Sequence, residues 1–467
     1  MRFLLVLGLA TVPAIAHADR VLTLDDALAL ARANNRDLRV AQARLAQTAA
    51  TVDIARAALL PNVSAQGKYT HNYKEVDLDL GQFTAPTTAL ADVIKGATAE
   101  PALAGAIAGY EQALSGQLAA QAPIVIQKEE QLDFGLTATV PLLAPASIES
   151  WSAAKLSQRA NGASYDVTLA TVLVGVAVAY YAAAGSDELV VARRHAVEVA
   201  KDTFDNAKAR VAAEVANQVD VTRAETALVR AEQDQAEAEN TRGQAYRALA
   251  TLLGTHETLT LKPAQIPDAQ PDALDQLVGD ARKSRPEFAV QHETIAAAAA
   301  NARAAGWKWS PSLSAFGNLR AFNYAGFSGD KYSWAVGLQL DWVLYDGSLR
   351  DAQRSQAHAQ RVEAEARLDL LGDSVSDEIQ NAVGTLGTKR RGVTSAQHTV
   401  ELATETLRLV KAQYDAGTAK QLDVLQAQDS LVSAEVGLAQ AHFDSSLADL
   451  QLRRASGAFP GVAKAAR

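Results

Sequence analysis

Trp334-Ala335-Val336-Gly337-Leu338-Gln339-Leu340-Asp341-Trp342-Val343-Leu344 is the stretch that decides how this chain folds. Trp334, Val336, Leu338, Leu340, Trp342 and Leu344 fall on one face of an extended strand, while Gly337, Gln339 and Asp341 fall on the other. About 200 residues earlier, Phe134, Leu136, Ala138, Val140 and Leu142 alternate in the same way with Gly135, Thr137 and Thr139. Strands of about ten residues, apolar on one side and small or polar on the other, are what a membrane barrel requires. A half-buried sheet in a water-soluble protein shows the same alternation. Trp307, Trp309, Trp334 and Trp342 tip the balance, because four of the five tryptophans cluster here, as in an interfacial aromatic belt.

Working outward, the chain repeats itself. Pro61 and Pro311, which precede strands, stand 250 residues apart, as do Gly67 and Gly317. Ala31-Arg32 and Asp37-Leu38 match Ala281-Arg282 and Glu287-Phe288 at that offset. Gly135-Leu136 precedes Gly337-Leu338 by 202 residues, and Asp220-Val221 precedes Asp423-Val424 by 203. Each half therefore reads helix, strand, strand, long helix, turn, long helix. The 48-residue change of offset marks an insertion between the strands of the first half.

The first repeat is expected over residues 19–254, with strands at about 61–73 and 130–143, an inserted loop at about 82–127 and a long helical hairpin at about 147–253. The second spans 271–457, with strands at about 311–324 and 332–345 and a hairpin at about 347–456. An equatorial linker region covers 255–290, and 458–467 form a tail. In the hairpins Leu169, Val176, Ala183, Val190, Val197, Phe204 and Val211 recur every seven residues, as do Ile379, Leu386, Val393, Val400, Leu407 and Tyr414. That period means coiled-coil packing, over helices of about 65 residues or about 100 Å. Four strands cannot close a barrel and an open edge is forbidden in lipid, so several chains must pool their strands.

Composition limits the alternatives. Of 467 residues 48% are apolar, but alanine dominates and aromatics are only 6%, which suits long helices packed side by side. Residues 1–18 read as a secretory signal: Arg2, an apolar run from Phe3 to Ile15, and Ala16-His17-Ala18 as the cleavage pattern. Beyond it no run of about 18 apolar residues occurs; Val167 to Ala184 comes nearest. The absence of cysteine excludes disulfides, cysteine-ligated zinc and an N-terminal lipid on cysteine, so a lipoprotein is not expected. A net charge of −9 argues against nucleic acid as a partner. No phosphate loop, no Gly-x-Ser-x-Gly elbow and no paired-histidine zinc motif around His292-Glu293 is present, so no catalytic residue, metal or cofactor is expected.

Nearly all of the mature sequence resembles the TolC, or outer membrane efflux protein, family. The resemblance is carried by Leu24-Asp25-Asp26-Ala27-Leu28, Asn34-Asn35, Ala58-Leu59-Leu60-Pro61, and Tyr414-Asp415-Ala416-Gly417-Thr418 leading into Leu422-Asp423-Val424-Leu425. It implies an α+β membrane protein: a homotrimer with a twelve-stranded outer-membrane β-barrel, four strands per protomer, continued by a long periplasmic α-helical coiled-coil barrel. It further implies a passive exit duct of a Gram-negative tripartite efflux pump or type I secretion system. Such ducts dock on a periplasmic adaptor and an inner-membrane transporter of RND, ABC or MFS type. Asp423 matches an aspartate of the family's pore constriction, whose second ring position is Gln426 here. Tyr414 matches a lock tyrosine and Asp220 its partner, while the lock arginine falls on Ala419. The turns at Val215, Ala216, Gly417 and Thr418 are expected to touch the adaptor. Asp220 and Asp423 also read simply as helix N-caps at the hairpin turns.

Overall fold

The computed structural model describes residues 21–78, 85–98, 100–119, 124–255, 257, 259–262, 272–325 and 329–459. The expected signal segment, Pro263, Pro267 and Pro271 of the linker, and most of the tail lie outside these residues. The chain divides into two compact units: residues 1–50, 155–298 and 359–467, and residues 51–154 and 299–358.

The elements recur at the offsets seen in the sequence. Helices α1 (Leu24–Asn34) and α2 (Arg36–Ala57) return as α7 (Leu274–Ser284) and α8 (Pro286–Trp307). Strands β2 (Asn62–His71) and β5 (Glu130–Leu143) return as β7 (Ser312–Phe322) and β8 (Tyr332–Asp341). The hairpin of α5 (Pro145–Ala212) and α6 (Gln218–Leu253) returns as α9 (Leu349–Asp415) and α10 (Gln421–Ala455). A short parallel pair, β1 (Val21–Leu22) with β6 (Thr260–Leu261), occurs in the first half.

The first unit holds two equivalent cores. One gathers Leu28, Leu173, Val176, Ala183, Leu249 and Leu253; the other gathers Phe288, Val375, Ile379, Leu386, Leu452 and Ala455. Val176 and Ile379, Ala183 and Leu386, and Leu249 and Leu452 are pairs at the offset of 203. The seven-residue ladder is buried from Val176 through Val190, after which Ala192, Ala196, Ala200 and Ala207 form the buried seam. Small side chains there let helices approach closely. By length and composition α5 is apolar enough to cross a membrane, although the sequence shows no unbroken run. Leu173, Val176, Ala177, Tyr180 and Ala183 of α5 all pack into the first core, which accounts for that apolarity.

Local chemistry sets the helix breaks. Asn35 separates α1 from α2: its amide nitrogen donates to the Leu252 carbonyl at 2.8 Å, and its Oδ1 accepts from the Asp37 amide at 2.8 Å. Gly254 ends α6 at φ 66, where a Cβ would meet the Asn34 carbonyl oxygen at 2.8 Å, so only glycine fits. In the second repeat the place of Asn35 is taken by Arg285, which is buried and lies 2.7 Å from Glu378 and 3.1 Å from Glu287. Burial pushes the Glu287 carboxyl up, but the hydrogen bond and charge of Arg285 outweigh it and hold the group below its ordinary value.

The second unit is built on an antiparallel sheet in the order β2-β5-β7-β8. The inserted segment departs from the loop expected at about 82–127. It carries a small ladder, β3 (Val76–Leu78) with β4 (Ile124–Gln127), and two helices, α3 (Ala85–Ala97) and α4 (Pro101–Ala119). Its alanines favour helix, and Pro101 sits at the first position of α4, where its missing N–H removes no intrahelical bond. Strand β8 ends at Asp341 rather than near 345, because Asp341 pairs with Ser312, the first residue of β7.

Candidate functional site

The register of the sheet sorts its side chains into two faces. Val63, Ala138, Gly317 and Val336 lie side by side across the four strands. So do Ala65, Leu136, Leu319 and Trp334. Tyr69, Leu132, Phe134, Val140, Ala315, Leu338, Leu313 and Leu340 continue this face, which carries no charge between its ends. The opposite face is lined by Ser64, Thr137, Asn318, Gln66, Arg320, Lys68, Asp133, Thr139 and Gln339. Phe316 and Phe322 are the aromatic exceptions there; Phe316 lies over Gly337, where a Cβ would stand 2.9 Å from its ring. The apolar face is open: Val63 is 64%, Trp334 69% and Leu338 67% exposed. A surface of this kind, several strands wide, needs an apolar medium or a partner.

Polar and aromatic groups mark the ends of that face. At one end Glu130 accepts a hydrogen bond from the Tyr69 hydroxyl, and His71 Nδ1 lies 2.8 Å from Glu130 Oε1. At the other, the Trp342 indole donates to the Trp309 carbonyl at 3.3 Å, and the Arg350 guanidinium lies 4.1 Å from the Trp309 ring. Trp307, just ahead of β7, is also exposed. From Trp334 to Trp342, one residue past β8, extended chain covers about 27 Å, or about 20 Å along the normal at a barrel tilt of about 40°, which fits within the roughly 25 Å apolar band of an outer-membrane barrel. Among the described residues, β2 and β8 are each paired on one side only.

The helix tips carry the other residues singled out from sequence. Each hairpin turns through a left-handed residue, Glu214 at φ 62 and Gly417 at φ 79, 203 positions apart. Both turns close in the same way, with the Val215 amide donating to the Arg210 carbonyl at 3.0 Å and the Thr418 amide to the Gln413 carbonyl at 2.9 Å. Val215 is exposed and Ala216 half-buried. The N-caps are Asn217 and Lys420 rather than Asp220 and Asp423, which sit three residues further on; Asp423 accepts from the Lys420 amide at 2.8 Å and so closes the start of α10 from within its first turn. Gln426, one turn on, is exposed. Asp220 lies 3.8 Å from Arg223.

No hydrogen bond joins Tyr414 to Asp220 among the described residues. Instead the Arg210 guanidinium sits 4.3 Å from the centre of the Tyr414 ring and 4.0 Å from Asp415, linking the two hairpins. Burial raises the Tyr414 phenol, an effect that Arg210 opposes. Sequence reading misses Arg210, because nothing local marks a residue that acts on a ring 204 positions away. Glu214 has a readable signal, its alignment with Gly417. No cluster of three or more metal-ligating side chains occurs among the described residues.

A family model described as "Outer membrane efflux protein" matches residues 27–255 and 277–458. Nodulation protein T of Rhizobium leguminosarum bv. trifolii is 29% identical over 255 residues, covering 52% of this chain and 53% of that protein. Outer membrane protein OprJ of Pseudomonas aeruginosa is 27% identical over 235 residues, covering 48% and 49%. The chain thus spans about half the length of these relatives. A membrane protein from Pseudomonas aeruginosa has the same fold, with a TM-score of 0.73 at 21% identity over 93% of this chain and 92% of its own.

Proposed function

Because the chain belongs to the outer membrane efflux protein family, we propose that it is the outer-membrane exit duct of a tripartite efflux pump or type I secretion system. The observation that carries this reading is the single apolar face running across all four strands, backed by a polar face and bounded by edges left unpaired among the described residues. In lipid those edges must be satisfied by neighbouring copies. A homotrimer with a twelve-stranded barrel meets that need, with the polar face lining a water-filled lumen. The helical unit then serves as the periplasmic tunnel, its tips at Val215, Ala216, Gly417 and Thr418 meeting an adaptor that is joined to an inner-membrane transporter. Asp423 and Gln426 lie on one exposed face of α10, where three-fold symmetry would bring three copies of each to a constriction. One carboxylate per copy there makes a weakly cation-selective neck. The chain works as a passive conduit in the outer membrane of a Gram-negative cell, not as an enzyme. Cell fractionation tests this: the protein stays with outer membrane through carbonate washing, whereas a periplasmic scaffold would be released with the soluble contents.

A further inference from the structure

The segment between β2 and β5 is not composed like a solvated loop. Residues 85–119 hold four charged side chains, Asp92, Lys95, Glu100 and Glu111. Lys95 of α3 pairs with Glu111 of α4, and lies 3.3 Å from Asp92. The inward faces of the two helices are thereby joined. Five large apolar side chains remain outside, Leu90, Val93, Ile94, Leu103 and Tyr110, with Val93 and Tyr110 exposed by two thirds, among a few exposed polar groups such as Asp92, Glu100 and Gln112. Leu90, Val93 and Ile94 share one stripe of α3. At Gly105, Gly109 and Gly116 of α4 an added Cβ would meet nothing within 4 Å, leaving backbone open to close approach.

We propose that this hairpin is a self-association surface whose occupant is the same hairpin of other copies of the chain, together forming an apolar cap over the barrel mouth. The proposal rests on the duct reading. The β3–β4 ladder continues directly from the β2–β5 ladder, since the Asn72 amide donates to the Glu129 carbonyl at 2.8 Å. The hairpin therefore follows the His71–Glu130 end of the sheet, and strand pairing between copies gathers the hairpins at one mouth. Tethering raises their effective concentration to the millimolar range or so, enough for weak apolar faces to associate. A lipid surface fits less well. Helices that lie in a membrane interface carry Lys and Arg on a polar face and often Trp, whereas this hairpin has no Trp, no Arg and one Lys, turned toward Glu111.

The chain has no cysteine, so single substitutions report cleanly. Val93→Cys and Leu103→Cys, in dilute detergent-solubilised protein treated with a short bismaleimide, should each give covalently linked pairs of chains. Replacing 85–119 by a short Gly-Ser linker, or introducing Leu90→Glu with Val93→Glu, should raise single-channel conductance by about twofold or more. A conducting oligomer with no cross-link at either position, or with conductance unchanged in both variants, overturns the cap alone. A protein that is monomeric and never conducts overturns the duct reading beneath it.

Discussion

Leu338→Arg probes which medium covers the sheet. Leu338 lies midway between Trp334 and Trp342, about 14 Å along the strand from each. If that face meets lipid, the guanidinium is placed at the midplane, where an arginine on a barrel's outer face costs about 2–4 kcal/mol per copy. Gln339→Arg, one residue on, points to the polar face and should cost within about 0.5 kcal/mol of zero. Trp334→Arg, near the interface, should fall to about 1 kcal/mol or less plus the loss of its ring contacts. Denaturant unfolding of protein folded into lipid vesicles measures all three, and the depth dependence is the signature. In a sheet facing water, Leu338→Arg would be close to neutral, because Leu338 is already exposed within one chain. Equal costs at 338 and 339 would refute the assignment of faces.

Further outcomes follow from the helical unit. Arg285→Ala should destabilise by about 1–2 kcal/mol, since it removes charge-assisted hydrogen bonds to Glu287 and Glu378 but leaves those partly exposed carboxylates able to meet water; thermal unfolding measures it. Glu287 has a folded pKa below its ordinary 4.5, so its pairing contributes stability above that pH and loses it as pH falls through the folded value; acid unfolding of wild type should therefore be steeper than that of Glu287→Gln. Glu214→Gly relieves a left-handed non-glycine turn and should stabilise by about 1 kcal/mol, while Gly417→Ala should cost about as much, both read as shifts in Tm. Arg210→Gln removes a cation–π contact worth about 1 kcal/mol, so the tips should open several-fold more often, seen as a higher open probability in single-channel records.

Much of this architecture is legible because two periods differ. Alternation by two sorts a sheet into faces, and the heptads mark helices, so the repeat aligns on its prolines, its glycines and short pairs such as Asp220-Val221 with Asp423-Val424. The breaks at Asn35 and Arg285 are not legible: each half reads as one helix ahead of its first strand, whereas the structure divides it in two at long-range contacts that no local pattern announces. The inserted helices are not legible: alanine, glycine and proline blur the contrast between faces, and proline reads as a break even where it begins a helix. Arg210 beside the Tyr414 ring is missed for a different reason. Contacts between hairpins depend on how helices are rotated about their axes, which no local pattern states, so Arg210 emerges only from the structure.

The central claim is that strands from separate copies close into a lipid-facing ring around a conducting lumen. Light scattering on detergent-extracted protein, with the same sample then added to a planar bilayer, tests it most directly. Three chains per particle and stepwise conductance are predicted; a lone chain that leaves the bilayer silent would contradict it.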